Sequence, residues 1–174
     1  VQTTDAEGLV NTMTYNARSD LISRVIAFGE DIAQESGFVY DAARRLVHTT
    51  EPDGGVTLQQ WDDFGNLLYS TDPNGNTTVF THDTRNLLAG TTDPGGFETS
   101  FAFDGLGNRT RVTDADGMVT KFVFDDKSFL VETIGDANGI DAASTQARDE
   151  LLHVSLMTDA SGTVTQLLYD RAYR

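Results

Sequence analysis

Apolar and polar residues alternate in short stretches along this chain, and the stretches recur at a fixed step. One set places Thr78, Phe80 and His82 on a common face, then Thr99, Phe101 and Phe103, then Thr120, Phe122 and Phe124. The positions between them are mixed: Val79 and Thr81, Ser100 and Ala102, Lys121 and Val123. Alternation of period two predicts β-strands with the rings gathered on one side. A second set of strands carries Leu46, Leu67, Leu88 and Leu130 in matching slots. Arg109 takes that slot in one copy, and nothing in the sequence accounts for it.

The punctuation between strands is equally regular. A ring followed by Asp recurs as Tyr40-Asp41, Trp61-Asp62, His82-Asp83, Phe103-Asp104 and Phe124-Asp125, each 21 residues after the last. Between these marks runs a second series at Glu51, Asp72, Asp93 and Asp114, each preceded by Thr and followed three residues later by Gly, again 21 residues apart. Self-similarity at a fixed period is the mark of a repeat architecture, in which one unit cannot bury its apolar face alone. Outer marks at Tyr15-Asn16, Arg148-Asp149 and Tyr169-Asp170 extend the array with steps of 25, 24 and 21. Two units, at about 16–39 and 125–148, are therefore longer than the rest, and residues 1–174 read as a single array. The chain starts at Val1 in the middle of a repeat, which reads as a fragment of a larger protein.

Both kinds of mark are turn chemistry. In Asp-x-x-Gly the carboxylate can accept from backbone N–H groups two or three residues on, and the fourth residue needs positive φ, which Gly supplies and Asn86 tolerates. Arg44 and Ser128 suit that slot poorly, so their turns are expected to differ. In Asp-Pro-x-Gly, Pro73 presets φ and Gly75 takes the left-handed conformation, as in a type I turn closing a hairpin with a glycine bulge. The expected fold is all-β: tandem antiparallel hairpins of about 21 residues forming a curved or spiralling sheet. Two stretches resist the pattern. Residues 27–36 read as a loop or helical turn. Residues 141–153, with Ala142, Ala143, Ala147, Leu151 and Leu152, read as a long loop with one helical turn.

Charge narrows the partners. With 27 acidic and 12 basic residues, the formal net charge is −15, which disfavours nucleic acid and anionic membranes. No apolar run is long enough for a membrane-spanning helix. The chain has no cysteine, which excludes disulfides, thiolate chemistry and cysteine zinc sites. His48, His82 and His153 are scattered, with no His-x-x-x-His pair, no Gly-x-Ser-x-Gly elbow and no phosphate-cradling loop. The adjacent carboxylates Asp62/Asp63 and Asp125/Asp126 serve as turn formers and do not make an acid–base pair, so no enzyme is expected. Asp136, Asn138 and Asp141 place oxygen ligands at near-alternate positions and are the candidate calcium ligands. The ring stripe of Trp61, Phe80, Phe101, Phe103, Phe122, Phe124 and Tyr169 reads as core or as the lining of a shell, with Trp61 the candidate glycan contact.

The unit Tyr-Asp-x-x-Gly-Asn/Arg-Leu, then Thr-Asp-Pro-x-Gly, then Thr-x-aromatic-x-aromatic-Asp resembles the Rhs repeat, also called the YD repeat. The best copies run over 61–80 and 82–103, and the resemblance extends from Thr4 to Asp170. Departures are the two long units, Arg148 in a ring slot, and the turns at Arg44 and Ser128. The resemblance implies a β-sheet strip that spirals into a hollow shell, as in bacterial secreted toxins, wall-associated proteins and the teneurin barrel. It implies a structural segment of a secreted or surface-displayed bacterial protein, contributing wall around a toxin or cargo. The alternative is an adhesin-like or carbohydrate-binding module. Implied partners are neighbouring repeats of the same or an identical chain, an enclosed toxin segment or a surface glycan.

Overall fold

The computed structural model describes residues 1–5, 8–28, 33–137, 140–148, 153–159 and 161–167. All regular structure among them is β, in sixteen strands. Two units divide the chain: Val1–His82 with Thr92–Gly96, and Asp83–Thr91 with Phe97–Arg174. The first holds β1 (Gln2–Thr4), β2 (Leu9–Tyr15), β3 (Leu21–Phe28), β4 (Gln34–Tyr40), β5 (Leu46–Thr50), β6 (Val56–Trp61), β7 (Leu67–Thr71) and β8 (Thr77–His82). The second holds most of β9 (Leu88–Thr92), then β10 (Glu98–Phe103), β11 (Arg109–Thr113), β12 (Val119–Phe124), β13 (Leu130–Ala137), β14 (Ile140–Arg148), β15 (Val154–Thr158) and β16 (Val164–Gln166). Within each unit the spatial order of the strands is their order in the chain. The pairings are antiparallel, as hairpins joined by tight turns require.

A register shift repeats with the sequence. Tyr15 faces Leu21, Tyr40 faces Leu46, Trp61 faces Leu67, Phe103 faces Arg109 and Phe124 faces Leu130, each beside a β-bulge. The ring slot thus pairs with the leucine slot across every such hairpin. The bulge has a consequence at β11. Arg111 faces Ala102, while Arg109, of the same parity, faces Phe103 on the ring side.

Three expectations change. Arg44 and Ser128 adopt φ of 66° and 65°, and Ser19 and Asn86 each 65°, so these turns match the glycine turns instead of differing. The bonds made by the turn outweigh the cost of a left-handed side chain at an exposed position. Residues 140–148 are strand β14, where a long loop with a helical turn is the sequence expectation. Thr145 faces Glu132 and Ile140 faces Ala137, so the helix-forming alanines are overridden by cross-strand pairing. Most of 27–36 is likewise strand: β3 reaches Phe28 and β4 begins at Gln34, with residues 29–32 outside the described ones.

No hydrophobic side chain is fully buried among the described residues. Trp61, Phe80, Phe101, Phe103, Phe122 and Phe124 are half-buried, and Tyr169 lies outside the described residues. Within each unit the described rings alternate to one side of their strands and stay half-buried, as residues lining a sheet face do.

Candidate functional site

The recurring turn is the most highly built local structure in the chain. At 62–66, Asp62 N–H donates to the Asn66 carbonyl at 2.9 Å and Gly65 N–H to the Asp62 carbonyl at 3.2 Å. Asp62 Oδ1 accepts from the N–H groups of Phe64 (2.9 Å) and Asn66 (2.8 Å), and Oδ2 accepts from Asn66 Nδ2 at 2.8 Å. Gly65 has φ of 92°, which lets the chain reverse within the turn. In the second series Asp72 makes the same bonds, accepting from Asn74 and Asn76 N–H at 2.9 Å each, and Gly75 N–H reaches the Asp72 carbonyl at 3.0 Å; at 51–55 the side-chain acceptor is instead Asp53, from Gly55 N–H at 2.9 Å. The two kinds of mark, distinct in sequence, are one turn in structure. The carboxylate accepts two and four residues on, not two or three.

Neighbouring turns of the ring–Asp series touch. Arg45 Nη1 donates to the Asp62 carbonyl, Arg85 Nη1 to the Asp104 carbonyl at 2.5 Å, and Asn108 Nδ2 to Ser128 Oγ at 3.0 Å. In the other series, a Cβ on Gly55 would stand 3.1 Å from Pro73 Cβ, so glycine permits that turn to stack on the next.

The elongated unit at 16–39 opens an exposed groove of about 450 Å³, lined by residues that include Asn16, Arg18, Asp20, Phe38, Tyr40 and Asp41. At its edge the turn exchanges its first and last residues. Asn16 Oδ1 accepts from Arg18 N–H (2.8 Å) and Asp20 N–H (3.0 Å), and Asn16 Nδ2 donates to Asp20 Oδ2 at 3.0 Å. Asp20 Oδ1 takes Arg44 Nε at 2.7 Å and Arg44 Nη2 at 2.5 Å. Asp20 is 8% exposed, the one buried polar or charged residue among those described. The Asn16 amide, and after it Arg44, hold its carboxyl below the ordinary value of 3.8 against the opposing effect of burial. A general base works best with a pKa near the operating pH. Asp20 lies on the wrong side of that, and both its oxygens are engaged, so it acts as a structural anion joining two turns.

The ring face answers the question of Arg109. Its guanidinium lies 5.5 Å from the Phe101 ring centroid and 6.0 Å from that of Phe122, one ring on each flanking strand. Arginine fills the leucine slot by cation–π contact with both neighbours. Arg148, in a ring slot, lies 4.8 Å from the Phe129 ring. Trp61 is half-buried, and its Nε1–H donates to the Leu46 carbonyl at 2.8 Å, leaving only the ring to meet a ligand.

Of the calcium candidates, Asp136 and Asp141 face each other across β13 and β14, and Asn138 lies outside the described residues. Among the described residues no three His, Asp or Glu side chains gather into a metal-binding group. His48 approaches Thr50 Oγ1 at 3.4 Å, and the three histidines remain on separate elements, with His82 in β8 and His153 just before β15. The sequence did contain a signal for the β13–β14 hairpin: Asn138-Gly139 is the dipeptide preferred in two-residue hairpin loops. Nothing in the sequence signalled Asp20 and Arg44, which stand 24 residues apart, because the extra length of the unit between them breaks the repeat.

Residues 61–99 match the family described as RHS Repeat, so the YD-type motif in that stretch is an RHS repeat. No curated protein sequence matches the chain. Among solved structures, TcdB2-TccC3-Cdc42 aligns over 100% of this chain with a TM-score of 0.63 and 14% identity. TcdB2-TccC3 without its hypervariable C-terminal region aligns over 91% with a TM-score of 0.60 and 14% identity. The Tc holotoxin pore of Photorhabdus luminescens aligns over 91% with a TM-score of 0.56 and 15% identity. The chain spans only 12%, 11% and 11% of those proteins, respectively. At such identities the likeness is one of fold: an all-β array of antiparallel hairpins shared with those structures.

Proposed function

We propose that this chain is a stretch of wall in an Rhs-type β-shell of a secreted or surface-displayed protein, and that the shell encloses a toxin or other cargo. The observation that carries this reading is that each unit is a run of antiparallel strands in chain order, with half-buried rings along one face and no hydrophobic side chain fully buried among the described residues. A free-standing globular domain needs a core to offset its conformational entropy. A wall takes that stability from strands that continue on either side and from whatever lies against its ring face. The many carboxylates here are spent on turns, which suits a scaffold better than a catalyst.

Two measurements test it. Proteinase K treatment of the native polypeptide carrying these repeats should leave a segment outside the repeats intact until urea opens the shell. Digestion of every such segment at the rate of an unfolded control would overturn enclosure. The 174-residue chain alone is expected to self-associate through its strand edges, as unpaired edges do. A sedimenting monomer at all concentrations, with native β circular dichroism, would overturn the wall reading.

A second reading, a sugar contact at Trp61, is favoured by one observation: the residue is only half-buried, so part of it meets solvent. Its test is glycan-array binding that disappears in Trp61→Ala. Trp61→Phe, which keeps the stacking surface but loses the bond to Leu46, separates sugar stacking from damage to the strand pair.

A further inference from the structure

The chain holds two Asn-x-Thr triplets, Asn76-Thr77-Thr78 and Asn108-Arg109-Thr110. That triplet is the acceptor signal for N-linked sugars: the amide nitrogen receives the sugar, and the transferase reads the hydroxyl two residues on. In a chain rich in threonine it also arises by chance, so the spelling alone decides nothing. Both asparagines stand at the same place in the repeated turn, four residues after its aspartate, Asp72 or Asp104. The structure nevertheless treats them in opposite ways.

At the first copy the acceptor is open. Asn76 is exposed, as are Pro73, Asn74 and Gly75 before it. Asn76 Nδ2 donates to Asp72 Oδ2 at 2.9 Å, and among the described residues its second N–H has no partner. Thr77 Oγ1 is held by Thr71 Oγ1 at 2.8 Å, but the Thr78 hydroxyl makes no hydrogen bond among the described residues. At the second copy every part is engaged. Asn108 is half-buried, and its Nδ2 donates to Asp104 Oδ2 at 2.8 Å and to Ser128 Oγ at 3.0 Å, which uses both N–H groups. Arg109 lies over the Phe101 and Phe122 rings, and Thr110 Oγ1 donates to the Ala102 carbonyl at 3.3 Å. A glycosylated amide keeps one N–H. Sugar on Asn76 therefore leaves a donor for Asp72, whereas sugar on Asn108 breaks the bond to Asp104 or the bond to Ser128.

We infer that Asn76 is an acceptor site for an N-linked sugar and that Asn108, with the same triplet, is not. In the transfer, Asn76 Nδ2 forms a bond to the anomeric carbon of the donor. The bond from that carbon to a diphosphate oxygen breaks, the diphosphate leaves with the electron pair, and one amide proton passes to a base of the transferase. The donor is a saccharide diphosphate, carried on a nucleoside or on a membrane lipid. The inference goes beyond the wall reading and does not depend on it.

The test is site mapping by peptide mass spectrometry in two arms: a soluble N-glucosyltransferase with UDP-glucose, and membranes holding an oligosaccharyltransferase with its lipid-linked donor. The arm that modifies the chain identifies the source of the sugar. In the folded chain Asn76 should be modified about tenfold faster than Asn108, the factor that one broken hydrogen bond is worth. Synthetic peptides spanning 72–80 and 104–112 should be modified at similar rates, because neither carries the fold. Equal rates at the two sites of the folded chain, or no modification of Asn76 in either arm, would overturn the proposal. So would the same preference in the peptides, which would assign it to the spelling of the triplets. Ser128→Gly suits the φ of 65° there and frees one Asn108 N–H, so it should narrow the gap between the sites; an unchanged gap would overturn the proposal's physical basis. Thr78→Val should abolish modification of Asn76, and Asn108→Gln should leave it unchanged. Circular dichroism melting guards against misfolding. Should Thr78→Val unfold, Thr78→Ser must retain the sugar and Asn76→Gln must lose it, or the proposal fails.

Discussion

The first residue of each turn carries most of the local chemistry in this protein. One aspartate accepts two backbone N–H bonds, often a side-chain bond as well, and fixes the reversal between strands. The same bonds favour its charged form. The carboxyls of Asp62, through the Asn66 N–H, Asp83, through the Leu87 N–H, and Asp41, through the Arg45 N–H, are held below the ordinary 3.8. So are Asp72, chiefly by the Asn76 amide, Asp104, chiefly by the Asn108 amide, and Asp159, chiefly by the Ser161 hydroxyl. A depressed folded value means that the unfolded chain binds more protons in the window below 3.8. The stability these bonds contribute is present above that value and is lost as pH falls through the folded values. The urea midpoint is therefore expected to drop steeply below about pH 4. A midpoint that stays level down to pH 2.5 would show that the turn carboxylates contribute nothing. These turns were legible in sequence because their residue types are local and repeated. Their equivalence was not, because Thr-Asp-Pro and ring-Asp look different when only side chains are read. The left-handed turns at Arg44 and Ser128 were not legible for a related reason: the bonds that hold a non-glycine residue at positive φ come from the rest of the turn.

Among elements, the instructive strand is β11. Every sequence-level rule asks for leucine at its first position, and it carries Arg109. The guanidinium between Phe101 and Phe122 shows that the slot takes any group able to lie on two rings, cationic as well as aliphatic. Arg109→Ala should destabilise the chain by roughly 0.5–1 kcal/mol, the scale of an exposed cation–π contact. Arg109→Leu, restoring the leucine of Leu67 and Leu130, should recover most of that loss. Thermal melts of the two variants decide it: equal losses would mean that the ring contacts contribute nothing beyond the position's backbone. Period-two patterning sufficed to place the regular strands, since each copy confirmed the last. It failed at β14, where Ala142, Ala143 and Ala147 carry no ring and no alternation. Pairing with β13 decides that segment, and pairing is a property of two strands that one strand's composition cannot display.

For the whole molecule, the decisive fact is that stability is distributed from strand to neighbouring strand. No described hydrophobic side chain is fully buried, so no central core couples distant strands. Within each unit a strand is held by its neighbours, by the stacking of turns such as Gly55 on Pro73, and by ring–leucine pairs across bulges such as Trp61 with Leu67. A chain built in this way behaves approximately as a row of nearest-neighbour terms, unlike a globular domain that unfolds all at once. Proline in a central strand separates the two cases, because it removes a ladder donor wherever it is placed. Thr120 is the second residue of β12, opposite Val112 on one side and Gly135 on the other. Thr120→Pro should abolish amide hydrogen-exchange protection in β11, β12 and β13 while β2 to β5 keep theirs. Uniform loss of protection across both units would mean global cooperativity, which a sheet stabilised only between neighbours does not supply. Retention of protection in β2 to β5 would also explain how the array tolerates units of unequal length, such as those near 16–39 and 125–148: an irregular copy disturbs only the strands that touch it.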